Sequence, residues 1–342
     1  MTTKHIEPDL DPWRKQGERQ IRGARRKKVL ALAVATTVVA VFAAVGIVLN
    51  LDTDEGARER TSATADGSSG LGPWTYLVDI PTGQATKLDG LGSLRDAAVS
   101  PDGASLTQGE EMVTVVNLDG SNLRTFDRTQ ETGEGVNAPH WSPDGRTIVY
   151  QADGRNESIG NLFVVDVASG KVTQLTDLDQ IGSHLWYMSP SFRPDGRSVL
   201  FTSPLGQCES CDPSTGRGDR QVWHLWSVPA SGGDPTIVMR DAGFGEYSPD
   251  GRLIAFTQIS APGGEFGDLW IANADGSDRR RLAPGELVFP RWSPDGTRIA
   301  YADVGAEKTF VVDVETGETT EIADSGSWPE WVDDDTLLLP FD

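Results

Sequence analysis

The strongest constraint on this chain is a pentapeptide that recurs through its C-terminal three-quarters. It reads Trp292-Ser-Pro-Asp-Gly296, with near-copies at Val99-Ser-Pro-Asp-Gly103, Trp141-Ser-Pro-Asp-Gly145, Phe192-Arg-Pro-Asp-Gly196 and Tyr247-Ser-Pro-Asp-Gly251. A worn sixth copy is Trp331-Val-Asp-Asp-Asp335. These are turn residues: Pro presets φ, Asp folds its carboxylate onto nearby backbone N–H groups, and Gly accepts a left-handed backbone. An apolar residue ahead and a run such as Arg298-Ile-Ala-Tyr301 behind make each copy the tip of a β-hairpin.

Between the hairpins lies a second unit of 14 residues, which begins at Thr75, Val113, Leu162, Leu225, Leu269 and Thr309. Each is an apolar run, a Gly-bearing turn and a second alternating strand. The two units alternate strictly, and the prolines of successive turns stand 42, 51, 55 and 45 residues apart. That period predicts a propeller of four-stranded blades. The series starts on a 14-residue unit and ends on a hairpin. Trp328 to Phe341 is therefore expected to supply the inner half of a blade whose outer half is Thr75 to Leu88. The expected fold class is all-β: a six-bladed β-propeller with shared-blade ring closure, spanning 73–342.

The hairpin with its following L-W/F-V-V-D-x-x-x-G unit resembles the WD40-like Pro-Asp repeat of TolB-type β-propellers, over residues 74–342. The resemblance implies a six-bladed propeller used chiefly for protein binding or scaffolding. TolB itself carries an α/β domain ahead of its propeller, whereas this chain has an apolar stretch and a short linker. The gating propellers of prolyl-oligopeptidase-like enzymes share the repeat but are accompanied by a hydrolase domain.

That apolar stretch, Val29 to Leu51, is 23 residues without a charge. It is long enough for a single transmembrane helix. Arg25-Arg-Lys-Lys28 precedes it and Asp52-Thr-Asp-Glu55 follows, which places 1–28 in the cytoplasm as a basic tail and the propeller outside. A cleaved signal peptide is the rival reading; its apolar core is normally shorter and ends in a small-x-small site, unlike Ile47-Val-Leu-Asn50. Residues 52–72 read as a flexible linker. Nine of the 30 basic and four of the 51 acidic residues fall in 1–51, leaving 21 and 47 beyond it. So acidic a surface repels nucleic acid, which excludes that class of partner.

Few residues point to chemistry. The repeated aspartates Asp102, Asp144, Asp195, Asp250 and Asp295 are needed by their own turns. No Gly-x-Ser-x-Gly elbow is present. His5, His140, His184 and His224 are too scattered for a local metal motif, so no catalytic residue, cofactor or metal is expected. His140 on an inner strand and His224 on a third strand read as packed side chains. Cys208 and Cys211 stand in an irregular insertion, Pro204 to Gln221. A zinc site would need two further ligands and a redox pair would need a βαβ unit; an oxidising exterior favours a disulfide between them.

The sequence therefore points to a non-enzymatic binding or scaffolding module for a protein, peptide or envelope glycan, anchored in the cytoplasmic membrane. A propeller lyase or hydrolase acting at the channel mouth is the alternative, and a transmembrane sensor a third. Several His, Asp and Arg converging on the channel from different blades would favour the enzyme. The short turns make one face smooth, and the variable segments fall on the other, so His184, Trp186 and Trp223, with the Cys208–Cys211 loop, are the candidate ligand face.

Overall fold

The computed structural model describes residues 60–62, 75–88, 94, 96–109, 112–126, 135–152, 160–177, 189–203, 223–259, 266–326 and 328–341. The expected tail and transmembrane helix, most of the linker, and His184, Trp186, Cys208 and Cys211 lie outside them. Among the described residues no helix is long and apolar enough to cross a membrane.

The described chain is built of antiparallel strands in five sheets. One holds Ala98–Val99, Ser105–Gly109, Val113–Asn117 and Arg124–Phe126. The next holds Val136–Trp141, Thr147–Ala152, Asn161–Asp166 and Val172–Gln174, and the third Ser191–Phe192, Ser198–Ser203, His224–Pro229 and Thr236–Arg240. The fourth has seven strands, because Arg280–Trp292 runs 13 residues without a break. Its beginning pairs with Gly267–Asn273 and its end with Arg298–Asp303. The fifth joins the two ends of the repeat region: Thr75–Asp79 pairs with Thr336–Pro340, Tyr76 opposite Leu339. Three residues of the expected linker, Arg60–Ser62, extend this sheet beside Gln84–Lys87.

Each Pro-Asp turn is closed by its own side chains. At Trp292–Gly296 the Ser293 hydroxyl donates to Asp295 Oδ1 at 2.6 Å, which also accepts the Thr297 N–H at 2.9 Å. Gly296 donates its N–H to the Ser293 carbonyl at 2.8 Å with φ at 72°, a conformation that costs Gly little. Ser100 with Asp102, Ser142 with Asp144 and Ser248 with Asp250 repeat the hydroxyl bond. The serine hydroxyl, then the turn N–H, hold Asp102 and Asp144 below the usual carboxylate range.

The core lies between neighbouring sheets. Trp141, Ile148, Tyr150 and Phe163 of one pack with Val113, Val115 and Phe126 of the one before. Each such buried side chain contributes roughly 1.5–3 kcal/mol. The strand ahead of each Pro-Asp turn lies against its counterpart in the next sheet. Contacts run from 98–99 to 136–141, 191–192, 242–247, 280–292 and 330–331, then back to 98–99.

Candidate functional site at the axis of the strand ring

These inner strands share an irregularity that decides where their side chains go. Between Asn137 and His140, Gly243 and Glu246, and Val288 and Arg291, three steps on the inner strand face two on its partner. Each is a β-bulge, which bends the strand and re-aims the residues after it. The residue three ahead of the turn's aromatic or apolar residue takes a left-handed φ in five of the strands: Asp96 (57°), Ala138 (47°), Ser189 (38°), Phe244 (50°) and Phe289 (52°). Such a backbone is strained for any residue but Gly, and most of all for a bulky one. Pro139, Pro190, Pro290 and Pro329 follow in four of the strands, where the missing N–H removes no necessary ladder bond.

The residue just ahead of each turn holds an equivalent place on the first strand of its hairpin, beyond a bulge at His140, Glu246 and Arg291. In chain order these are Ala98, His140, Ser191, Glu246, Arg291 and Glu330. Arg291 donates from Nε to Glu330 Oε1 at 2.6 Å, with the two side chains only 12% and 11% exposed. Glu246 accepts the Trp292 N–H on Oε2 at 2.8 Å, and its Oε1 lies 3.6 Å from His140 Nε2. The His140 Nδ1–H donates to the Trp141 carbonyl at 3.1 Å, which leaves Nε2 to face Glu246. Ser191 donates its hydroxyl to the Gly245 carbonyl at 3.2 Å.

Burial works against charge on Arg291, but Glu330 first, then Glu246 and Asp96, outweigh it and raise its pKa. Burial raises the Glu330 carboxyl above its ordinary value; Glu246 adds repulsion, and the attraction of Arg291 and His140 does not cancel the sum. A second set of residues lies along the same strands. Phe244 and Phe289 meet edge to face at 4.8 Å, and Phe289 lies 4.1 Å from Trp328. The equivalent positions elsewhere are Asp96, Ala138 and Ser189. Phe244 and Phe289 are buried, 8% and 5% exposed, in a core with Val288 and Ala302 against which Trp328 packs.

Trp223 is 9% exposed and packs with Leu162, Leu175, Val199 and Phe201. Beside it, His224 accepts the Asp241 N–H on Nδ1 at 3.1 Å, so its proton sits on Nε2. Burial lowers the pKa of His224. Among the described residues no group of three or more His, Cys, Asp or Glu is arranged to hold a metal ion. Sequence reasoning missed the residues ahead of the turns, and took His140 for packing alone. The signal available was Pro at the second place before the aromatic, with ionisable residues or His following it.

A ring of antiparallel sheets whose first strands face a common axis defines the class: a β-propeller. No family model matches the chain. Over 165 residues, 48% of the chain, it is 28% identical to the uncharacterized peptidase YuxL of Bacillus subtilis. Over 107 residues, 31% of the chain, it is 37% identical to the Tol-Pal system protein TolB of Anaeromyxobacter dehalogenans. Each match covers 21% of the relative, so the chain spans about a fifth of the length of these curated relatives. The structure of a putative TolB from Agrobacterium tumefaciens aligns with a TM-score of 0.60 at 18% identity, covering 78% of this chain and 96% of that one. The fold is that of a TolB-like β-propeller.

Proposed function

We propose that the chain is a non-enzymatic binding or scaffolding module for a protein, peptide or envelope glycan: a six-bladed propeller held outside the cytoplasmic membrane by a helix over 29–51. The closed succession of six inner strands supports the blade count. The observation that carries the binding reading is the TolB-like propeller fold, shared with a structure that aligns over 78% of this chain. The charged groups ahead of the turns are engaged, Arg291 with Glu330 and Glu246 with the Trp292 N–H, as a staple between strands would be. A relative named for the Tol-Pal system supports a setting in an assembly.

The enzyme alternative is favoured by one specific observation, the convergence of His140, Glu246, Arg291 and Glu330 from different sheets. Capture from envelope extract with the full chain as bait separates the two. Alanine at His184, Trp186 and the Cys208–Cys211 loop is expected to weaken capture while leaving Tm nearly unchanged. A turnover assay that survives those changes but is abolished by His140→Gln would replace the binding reading with the enzymatic one. An externally active reporter fused after Asp342, with residues 1–28 retained in the mature protein, is expected for the anchor. Recovery of a chain starting near residue 50 would defeat it.

A further inference from the structure

His224 is a buried ionisable side chain that neither the binding reading nor its enzymatic alternative uses. It is 1% exposed, and its Nδ1 accepts the Asp241 N–H at 3.1 Å. The ring proton therefore sits on Nε2, and that N–H has no partner among the described residues. The hold of this ring on its surroundings thus rests on Nδ1 staying an acceptor, which requires the ring to stay neutral.

What Nδ1 holds is a junction. Asp241 is the residue between Thr236–Arg240, the last strand of the third sheet, and Ala242–Tyr247, the first strand of the fourth. It carries the chain from one sheet into the other at a φ of 54°, a left-handed backbone that residues other than Gly seldom keep without support. The support comes from both sides. On the third sheet's side His224 takes the Asp241 N–H, and the Trp223 carbonyl takes the Ala242 N–H at 3.1 Å. On the fourth sheet's side the Asp241 carbonyl accepts the Ile259 N–H at 3.1 Å and the Gln258 side-chain amide at 3.0 Å. Of these acceptors, only the imidazole titrates near neutral pH.

A proton on Nδ1 would face the Asp241 N–H donor to donor. The Trp223 carbonyl favours the charged ring, but it already accepts the Ala242 N–H, so turning to it displaces the other junction bond. Burial disfavours the charged ring most; the Trp223 carbonyl and then the Asp241 carboxylate oppose that, and Arg240 adds to it. On its two paired strands His224 stands opposite the uncharged Ser203 and the same Arg240. We propose that His224 and Asp241 form an acid-sensitive latch: neutral His224 holds the turn between the third and fourth sheets, and protonation releases it. The release is local, because the Phe244 N–H still donates to Thr202 Oγ1 at 2.9 Å and ties the two sheets together beyond the turn. Burial makes the closed ring bind its proton more weakly than an opened one with the ordinary value of 6.5. The latch is therefore fully closed above 6.5 and weakens as pH falls below it.

The test is hydrogen exchange of the full chain at about pH 7.5 and about pH 5, corrected for the intrinsic pH dependence of exchange and read at the Asp241 amide. Amides of the central strand Arg298–Asp303 report the fold as a whole and serve as the reference. Relative to them, Asp241 is expected to lose between about 5-fold and about 30-fold in protection, the larger factor being the limit set by the ordinary imidazole pKa in the opened state. His224→Asn offers an acceptor near the Nδ1 position that does not titrate, so its Asp241 amide should show the same protection at both pH values. In the parent with isotope-labelled histidine, the His224 ring should titrate below 6.5, with the midpoint at which Asp241 loses protection. The proposal is overturned if Asp241 loses no more protection than the reference strand, if His224→Asn loses as much as the parent, or if the ring titrates at 6.5 or above. Should the variant fail to fold, the two midpoints in the parent decide: coincidence upholds the latch and separation overturns it.

Discussion

Trp331 donates its indole N–H to the backbone carbonyl of Arg291 at 2.9 Å, tying the last inner strand to the one before it. Trp292 does the same to Glu246 at 3.2 Å, and Trp141 to Ala98 at 3.2 Å. The tryptophans of the turn motif are therefore inter-sheet pins as well as apolar bulk. Trp331→Phe keeps the ring and deletes the donor, leaving a carbonyl unsatisfied beside the buried Arg291 side chain. A loss of about 1–3 kcal/mol is expected by chemical denaturation. Parent-like stability would mean that the bond is replaced by water.

The Glu330 carboxyl, raised chiefly by burial, binds its proton more tightly in the folded chain than in the unfolded one. Its contribution to stability is full below the ordinary value of 4.5 and is lost as pH rises through the raised value. The turn aspartates Asp102, Asp144 and Asp250 have the opposite sign: their contribution is present above 3.8 and lost as pH falls through the lowered value. Denaturation series above pH 4.5 should show a decline in the parent that Glu330→Gln lacks. Parallel curves for the two proteins in that window would assign the decline to another group.

Gly245 stands where four other inner strands carry Pro. A β-carbon there would lie 2.6 Å from Leu225 Cδ1 and 3.0 Å from Leu200 Cδ2, both on fully buried leucines. Gly245→Ala is expected to cost about 1–3 kcal/mol through overpacking. Gly317→Ala, whose β-carbon meets nothing within 4 Å at a φ of 73°, should cost only the backbone strain, about 1–2 kcal/mol. Thermal melts of the two side by side separate the mechanisms.

Deleting Trp328–Asp342 removes Thr336–Pro340, the strand on which Thr75–Asp79 pairs. It also removes Leu337 and Leu339 from a core shared with Tyr76 and Val78. Loss of the cooperative melt of the whole ring is the expected result, since an open ring exposes an unpaired edge. A truncated chain that melts like the parent would show that the ends close independently.

The turn chemistry was legible because it is local: Ser, Pro, Asp and Gly satisfy one another within five residues, and their repetition announces the hairpins. The pairing of Thr75–Asp79 with Thr336–Pro340 could be read from the phase of the two alternating units. The axis could not be read in the same way. Ala98, His140, Ser191, Glu246, Arg291 and Glu330 share a place but no residue type, so nothing repeats to be noticed. Two of the three bulges are carried by Phe244 and Phe289, residues that ordinarily argue for regular strand.

The unbroken Arg280–Trp292 strand has a mechanical consequence. Between Thr236–Arg240 and Ala242–Tyr247, by contrast, Asp241 stands outside both strands, so the two sheets there do not share one strand. Along Arg280–Trp292 both sheets are hydrogen-bonded to a single stretch of backbone, so opening one drags on the register of the other. The chain from Ala242 to Ala323 should behave as one cooperative unit in hydrogen exchange, with its amides opening together and later than those of the four-stranded sheets.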